Sequence, residues 1–226
     1  MQELTMKVIA KMHSDFPDKF GIPRQSGMIE SLRSTIVFEP EYRNSDALRG
    51  LEDFSHLWII WQFSKAVRDN WSPTVRPPRL GGNTRMGVFA TRSPFRPNAI
   101  GLSSVKILGI EQTHDSGAVI HVSGADLMDG TPILDIKPYI PYSDCHSDAS
   151  GGFTDTASDF ILKVNIDPQL LEKVPAEKQN ALIDILTHDP RPSYQTDAHR
   201  IYGLSFAGMN IRFTVQDSIL TVFEIT

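Results

Sequence analysis

GVFATRSPFRPNAIGLS, Gly87 to Ser103, is the stretch from which the fold is read. Two strand-like pieces flank an irregular Pro-rich turn that carries Arg92 and Arg96, and such a turn is where a rigid scaffold holds functional side chains. The same pattern extends outward. Thr5 to Ala10, Ser34 to Phe38, His56 to Phe63, Gly87 to Ala90, Ile100 to Ile110, Ala118 to Ser123 and Ile133 to Lys137 are each rich in β-branched or aromatic residues. Gly, Pro, Asn or Asp clusters separate most of them, and only Asn44 to Phe54 reads as helix. Many short strands with little helix between them predict an antiparallel or mixed barrel, not a βαβ sheet.

The character changes after Tyr142. SDCHSDASGGFTDTASD is small, polar and turn-rich, as a linker or long surface connection is. Beyond it Pro175 sits where a helix starts, and Leu182, Ile183, Ile185 and Leu186 form an apolar face at helical spacing. Ile201 to Phe206, Asn210 to Gln216 and Ile219 to Ile225 then alternate like strands. The expectation is a β-rich α+β protein: a small N-terminal β-barrel over residues 1–142, a linker over 143–156 and a small C-terminal α+β domain over 157–226.

Composition bounds the function. With 226 residues and 40% hydrophobic content the chain has enough apolar material for one good core, or one and a small second. A net charge of −5 excludes a nucleic-acid binder of the basic-tail kind, so any anion contact is local. One window supplies it. From Asn70 to Ile110 there is no Asp or Glu, while Arg76, Arg79, Arg85, Arg92, Arg96 and Lys106 fall inside. A single cysteine, Cys145, excludes an internal disulfide and fits a reducing compartment. MQELTMKVIAKMHSDF lacks the apolar run of a signal peptide, and no segment approaches the roughly 20 apolar residues of a membrane span. The cytoplasm is the expected location.

Neither a G-x-G-x-x-G after a strand nor a G-x-x-x-x-G-K-[ST] is present, which argues against a dinucleotide fold or a P-loop. No His or Cys pair has metal-ligand spacing, so no metal is expected. Any one arginine of the window is as readily a solvated surface charge, but the acid-free set favours an anion site, since the guanidinium fork matches phosphate and carboxylate. In GADLMDGTPILDIKPYIPY, Gly124 to Tyr142, the carboxylates Asp126, Asp129 and Asp135 lie close in sequence. Asp129 either bonds its own turn or faces a ligand. FGIPRQSG, Phe20 to Gly27, is a punctuated loop presenting Arg24 and Gln25, and His56 opens an apolar strand.

Six segments together carry a resemblance: PRQ at Pro23 to Gln25, RGLEDFSHLW at Arg49 to Trp58, RPPRLGG at Arg76 to Gly82, GVFATRSPFRPNAIGLS, DLMDGTPILDIKPYIPY and DPRPSY at Asp189 to Tyr194. In that order they resemble the TsaA-like family over nearly the whole chain. The resemblance implies a small β-barrel methyltransferase outside the Rossmann-like class, using S-adenosylmethionine and acting as a homodimer with the cofactor near the subunit interface. Its implied reaction is methylation of N6 of threonylcarbamoyladenosine at position 37 of the tRNA anticodon loop. Implied cofactor contacts are Pro23, Arg24, Gln25, Ser64, Lys65, Arg92, Leu102, Asp126, Leu127, Met128 and Asp129. Relatives often carry His where this chain has Ser64. Asp126, Asp129 and Tyr142 are the candidates for a general base, and Arg76, Arg79, Arg96, Asp189, Arg191 and Tyr194 for tRNA contacts. A cofactor- or RNA-binding module without catalysis, and a methyltransferase of this fold with another acceptor, are the alternatives.

Overall fold

The computed structural model describes residues 3–68, 70–155, 161–192, 195 and 197–226. Its strands and helices in chain order are β1 (Ala10–His13), β2 (Arg33–Phe38), β3 (His56–Gln62), β4 (Thr74–Val75), β5 (Met86–Gly87), β6 (Ile100–Thr113), β7 (Gly117–Ser123), β8 (Pro132–Pro138), α1 (Pro141–Asp144), β9 (Lys163–Ile166), α2 (Pro168–Leu171), α3 (Ala176–Thr187), β10 (Tyr202–Phe206), β11 (Met209–Gln216) and β12 (Ile219–Ile225).

Alternation in sequence becomes alternation in burial. In β3, Leu57, Ile59 and Trp61 turn inward while the residues between them stay half-exposed. Met12, Ile36, Ile120 and Ile133 meet them from other strands, each fully buried, and each such side chain contributes about 1.5–3 kcal/mol. The strands run β1-β2-β7-β6-β3-β8 and close when β1 pairs with β8 through Ala10 and Ile133. Closure into a barrel removes the exposed edges that an open sheet of this kind would leave.

Three elements depart from the sequence expectation. The first strand is Ala10–His13, not Thr5 to Ala10, because Ala10 and Met12 reach the core whereas Thr5 to Lys7 are exposed. The segment from Asn44 to Phe54 is two 3-10 turns, Ser45–Leu48 and Leu51–Asp53, since Gly50 at φ 86° breaks the helical path. Strand β5 stops at Gly87, and Val88–Ala90 turns away as a 3-10 turn.

A second core lies in the C-terminal part. Its sheet has the order β10-β11-β12-β9, with β9 parallel to β12, a pairing that leaves little trace in the sequence KVNI. Leu182, Ile185 and Leu186 of α3 join Leu204, Phe206, Phe213 and Leu220 there. Phe16, Ile29 and Leu32, from the loop between β1 and β2, belong to this second core and not to the barrel. Phe16 packs on Phe206 with ring centroids 5.4 Å apart. The β1–β2 loop is therefore clamped between the two halves of the molecule.

Candidate functional site

That clamp fixes the Pro23 to Gln25 loop. Gly21 adopts φ 88°, and a Cβ built there would stand 2.2 Å from Leu204 Cδ1, so only glycine lets the chain pass against β10 at this point. Beyond it the loop forms one wall of a cleft of about 1630 Å³. The opposite wall is the Pro-rich turn around Arg92, and residues 150–154 and 188–192 close the C-terminal side.

Cations dominate the charged residues of the lining. Lys19, Arg24, Arg68, Arg76, Arg85 and Arg92 are exposed in the cleft, and Asp189 is the one carboxylate among its described lining residues. Asp189 is spoken for. It is 8% exposed, and its two oxygens hold Arg191 in a bidentate pair, with Nε to Oδ1 at 2.8 Å and Nη2 to Oδ2 at 2.9 Å. That pairing holds the Arg191 pKa above its ordinary value. Among the described residues no carboxylate comes within ion-pair reach of Arg24, Arg76 or Arg85, so the cleft keeps its positive potential for an incoming anion.

Behind the wall sits a relay of three side chains. Trp61 Nε1 donates to Ser103 Oγ at 3.0 Å, and Ser103 donates onward to Asp126 Oδ1 at 2.6 Å. Gly101 makes this possible: it lies directly across from Trp61 in the β3–β6 ladder, and the indole folds over its bare backbone toward Ser103 two residues on. Burial raises the Asp126 pKa, against the lowering effect of the Ser103 bond, its own and the Ser26 backbone N–H groups and the Arg92 charge. A carboxylate held this way is a better proton acceptor than an exposed one. Arg92 Nη1 donates to Gln25 Oε1, and Ser26 Oγ accepts from Ser104 N at 3.1 Å, so loop, turn and barrel strand are joined at this point.

The structure distributes the expected site residues unevenly. Pro23, Arg24, Gln25, Arg76 and Arg92 line the cleft, with Asp126 behind Arg92. Leu102 is 51% exposed on the outer face of β6, and Ser64 and Lys65 are exposed in the turn after β3. Arg96 donates to Thr91 O at 3.1 Å and its guanidinium stands 6.0 Å from the Phe89 ring centre. Asp129 lies elsewhere: it accepts from Ser14 N at 3.1 Å and faces His13 at 3.4 Å in a separate polar cavity of about 620 Å³. The Leu127 side chain is in the barrel core and its carbonyl accepts from Ser14 Oγ, while Met128 O accepts from Thr131 Oγ1. Tyr142 is 92% exposed on α1. The Arg79 side chain and Tyr194 lie outside the described residues. Sequence reasoning passed over Ser103, Trp61 and Ser26. The legible signal was the Gly101-x-Ser103 spacing opposite an aromatic strand.

Among the described residues no group of three or more His, Cys, Asp or Glu is placed to hold a metal ion, and no helix is long and apolar enough to cross a membrane. Comparison with known proteins is consistent along the whole chain. The tRNA-methyltransferase O N-terminal domain model matches residues 11–145 and the TrmO C-terminal domain model matches 160–226. The chain is 38% identical over 233 residues to the tRNA (adenine(37)-N6)-methyltransferase of Escherichia coli, covering 100% of this chain and 99% of that one. It is 39% identical over 215 residues to the Pseudomonas aeruginosa protein RcsF, described provisionally as an S-adenosylmethionine-dependent methyltransferase, covering 91% of this chain and 90% of that one. A crystal structure of TrmO from P. aeruginosa superimposes with a TM-score of 0.81 at 31% identity, covering 100% and 98% of the two chains. With both domain models matched in order and full-length relatives above 30% identity, the chain belongs to the tRNA-methyltransferase O (TrmO) family.

Proposed function

We propose that the protein transfers a methyl group from S-adenosylmethionine to N6 of adenine 37 in tRNA, and that the adenine it acts on carries the threonylcarbamoyl group. The observation that carries the reading is an acid-poor arginine cleft with the half-buried carboxylate of Asp126 close to Arg92, one of the cleft's lining residues. The Escherichia coli relative named for methylation of adenine 37 supports it across the full length.

The residues at the junction suit the cofactor. Arg24 and Arg92 match its carboxylate, Gln25 and Ser26 offer oxygen acceptors for its ammonium and hydroxyls, and exposed Leu102 offers an apolar wall for a base. When bound, S-adenosylmethionine supplies an electrophilic methyl carbon on a sulfonium. The chain must then align the acceptor nitrogen and remove its proton. In the threonylcarbamoyl nucleoside N6 belongs to a urea and is a poor nucleophile, so a base within hydrogen-bond reach is needed. Of the three candidates Asp126 suits this best. Asp129 is committed to the β1 turn and Tyr142 to the exposed face of α1. Ser103 holds the Asp126 carboxylate in one orientation, and the free arginines of the cleft pair with the threonyl carboxylate and the RNA phosphates.

The reading includes a cytoplasmic homodimer and a tRNA-gripping role for residues 157–226. Ile100 and Leu102 are exposed apolar neighbours on one face of β6, the kind of surface a second copy covers. The test is nucleoside analysis of tRNA from a strain lacking this enzyme after incubation with the protein and labelled S-adenosylmethionine. Label in N6-methyl-N6-threonylcarbamoyladenosine supports the reading, and label in any other nucleoside, or in none, rejects it.

A further inference from the structure

Two large aromatic rings stand exposed at the mouth of the cleft. Phe89 is 71% exposed and Trp71 is 52% exposed, with centroids 6.1 Å apart and planes 31° from parallel. Leaving two such side chains in water is costly unless a partner covers them. Hydrogen bonds tie down their backbone. Thr74 pairs with Gly87 and Val75 with Met86, Val88 N donates to Pro73 O at 2.9 Å, and the Val88 side chain is buried as an anchor directly before Phe89. Thr91 Oγ1 caps the turn by donating to Val88 O at 2.9 Å. One cation borders the pair: the Arg96 guanidinium stands 6.0 Å from the Phe89 ring centre.

We propose that Phe89, backed by Trp71, is a stacking shelf for one unpaired base of the RNA loop. The inference rests on the functional reading above and adds to it a specific contact. A positively lined cleft with an exposed aromatic face and no free acid among its described residues matches a single-stranded nucleic acid, whose phosphates meet the arginines while a base lies on the ring. Presenting N6 of one adenine to a site requires drawing that base away from its neighbours, and a fixed aromatic face replaces the stacking it gives up.

The test is equilibrium binding of an anticodon stem-loop RNA to the full chain. Phe89→Ala should weaken binding about 5- to 100-fold, the equivalent of one stacked base. Phe89→Leu keeps the apolar bulk without the π face and should lose as much, whereas Phe89→Trp should restore binding. The salt dependence should not change, because the phenyl ring neutralises no phosphate. Replacing position 36, 37 or 38 of the RNA in turn with an abasic residue should abolish the Phe89→Ala effect at one of the three. Wild-type affinity in both Phe89→Ala and Phe89→Leu, or a loss that persists against every abasic RNA, would overturn the shelf. RNA binding by the wild-type chain without methylation of a threonylcarbamoylated adenine 37 would reject the functional reading alone.

Discussion

Gly101→Ala is the substitution that most directly loads the relay behind the cleft. A Cβ at position 101 would lie 2.3, 2.5 and 2.7 Å from Cε2, Cζ2 and Cδ2 of Trp61, against an ordinary carbon contact of about 3.5 Å. The ring must retreat by about 1 Å, and its N–H bond to Ser103, now 3.0 Å, cannot survive that shift. Overpacking the barrel costs about 1–3 kcal/mol, and a buried indole N–H without its acceptor costs about 1–3 kcal/mol more. Restricting the unfolded chain offsets about 0.4–1 kcal/mol. The net is roughly 2–4 kcal/mol, which for a chain of this length lowers Tm on the order of 10 °C. Circular dichroism melting with a urea titration at unchanged m-value measures it, and turnover should fall in the folded variant because Ser103 no longer fixes Asp126. An unchanged or higher Tm would refute the placement of the indole over Gly101, and with it the relay.

Ser103→Ala should move the acid limb of the pH–rate profile upward. It deletes a bond that lowers the Asp126 pKa and leaves burial, which raises it, so the carboxylate ionises only at higher pH; an unmoved limb would separate Asp126 from proton removal. Stability follows the same sign: the raised folded pKa favours the fold at low pH, and that advantage is lost as pH rises through the folded value. Arg76→Ala and Arg85→Ala should each weaken tRNA binding and reduce its salt slope by roughly 0.7–0.9 for each phosphate the arginine neutralises, with cofactor affinity unchanged in calorimetry. Arg191→Ala should instead destabilise the fold by about 3–5 kcal/mol in urea melts, because it strands the buried Asp189 charge. A chain ending near Ser143 should melt without cooperativity and fail to bind S-adenosylmethionine by calorimetry, since Phe16, Ile29 and Leu32 lose the core they fill. Cofactor binding by that fragment would mean the Pro23 to Gln25 loop needs no clamp.

The β-rich α+β class was legible because alternation and turn chemistry are local. His56 to Phe63 and Ala118 to Ser123 need no partner to declare a buried face. What escaped is what depends on the other half of the chain. Nothing in Phe16, Ile29 or Leu32 says that they leave the barrel for the C-terminal core, and β9 is a strand only because β12 offers it a parallel edge. The site divides the same way. The arginine window was visible as a run without acids, and Arg76, Arg85 and Arg92 do line one cleft. Asp189 and Arg191, expected as contacts for tRNA, both line the cleft and hold each other in a bidentate pair that the sequence does not declare. Asp126 and Asp129, three residues apart around a turn, have different partners, Ser103 and Arg92 for the first and Ser14 and His13 for the second, a separation that composition cannot reveal. Ser103 acquires its meaning only from Trp61 across the ladder.

The central claim is that the arginine cleft and Asp126 act on a threonylcarbamoylated adenine. Methyl incorporation into matched tRNA transcripts, with and without prior threonylcarbamoylation at position 37, tests it. On this account unmodified adenosine lacks both the carboxylate proposed to pair with the arginines and the urea N–H proposed to lose its proton to Asp126, and leaving such a site unpaired costs on the order of 10⁴ in discrimination. The account predicts rapid methylation of the modified transcript and turnover lower by several orders of magnitude on the unmodified one; comparable rates on the two would contradict it.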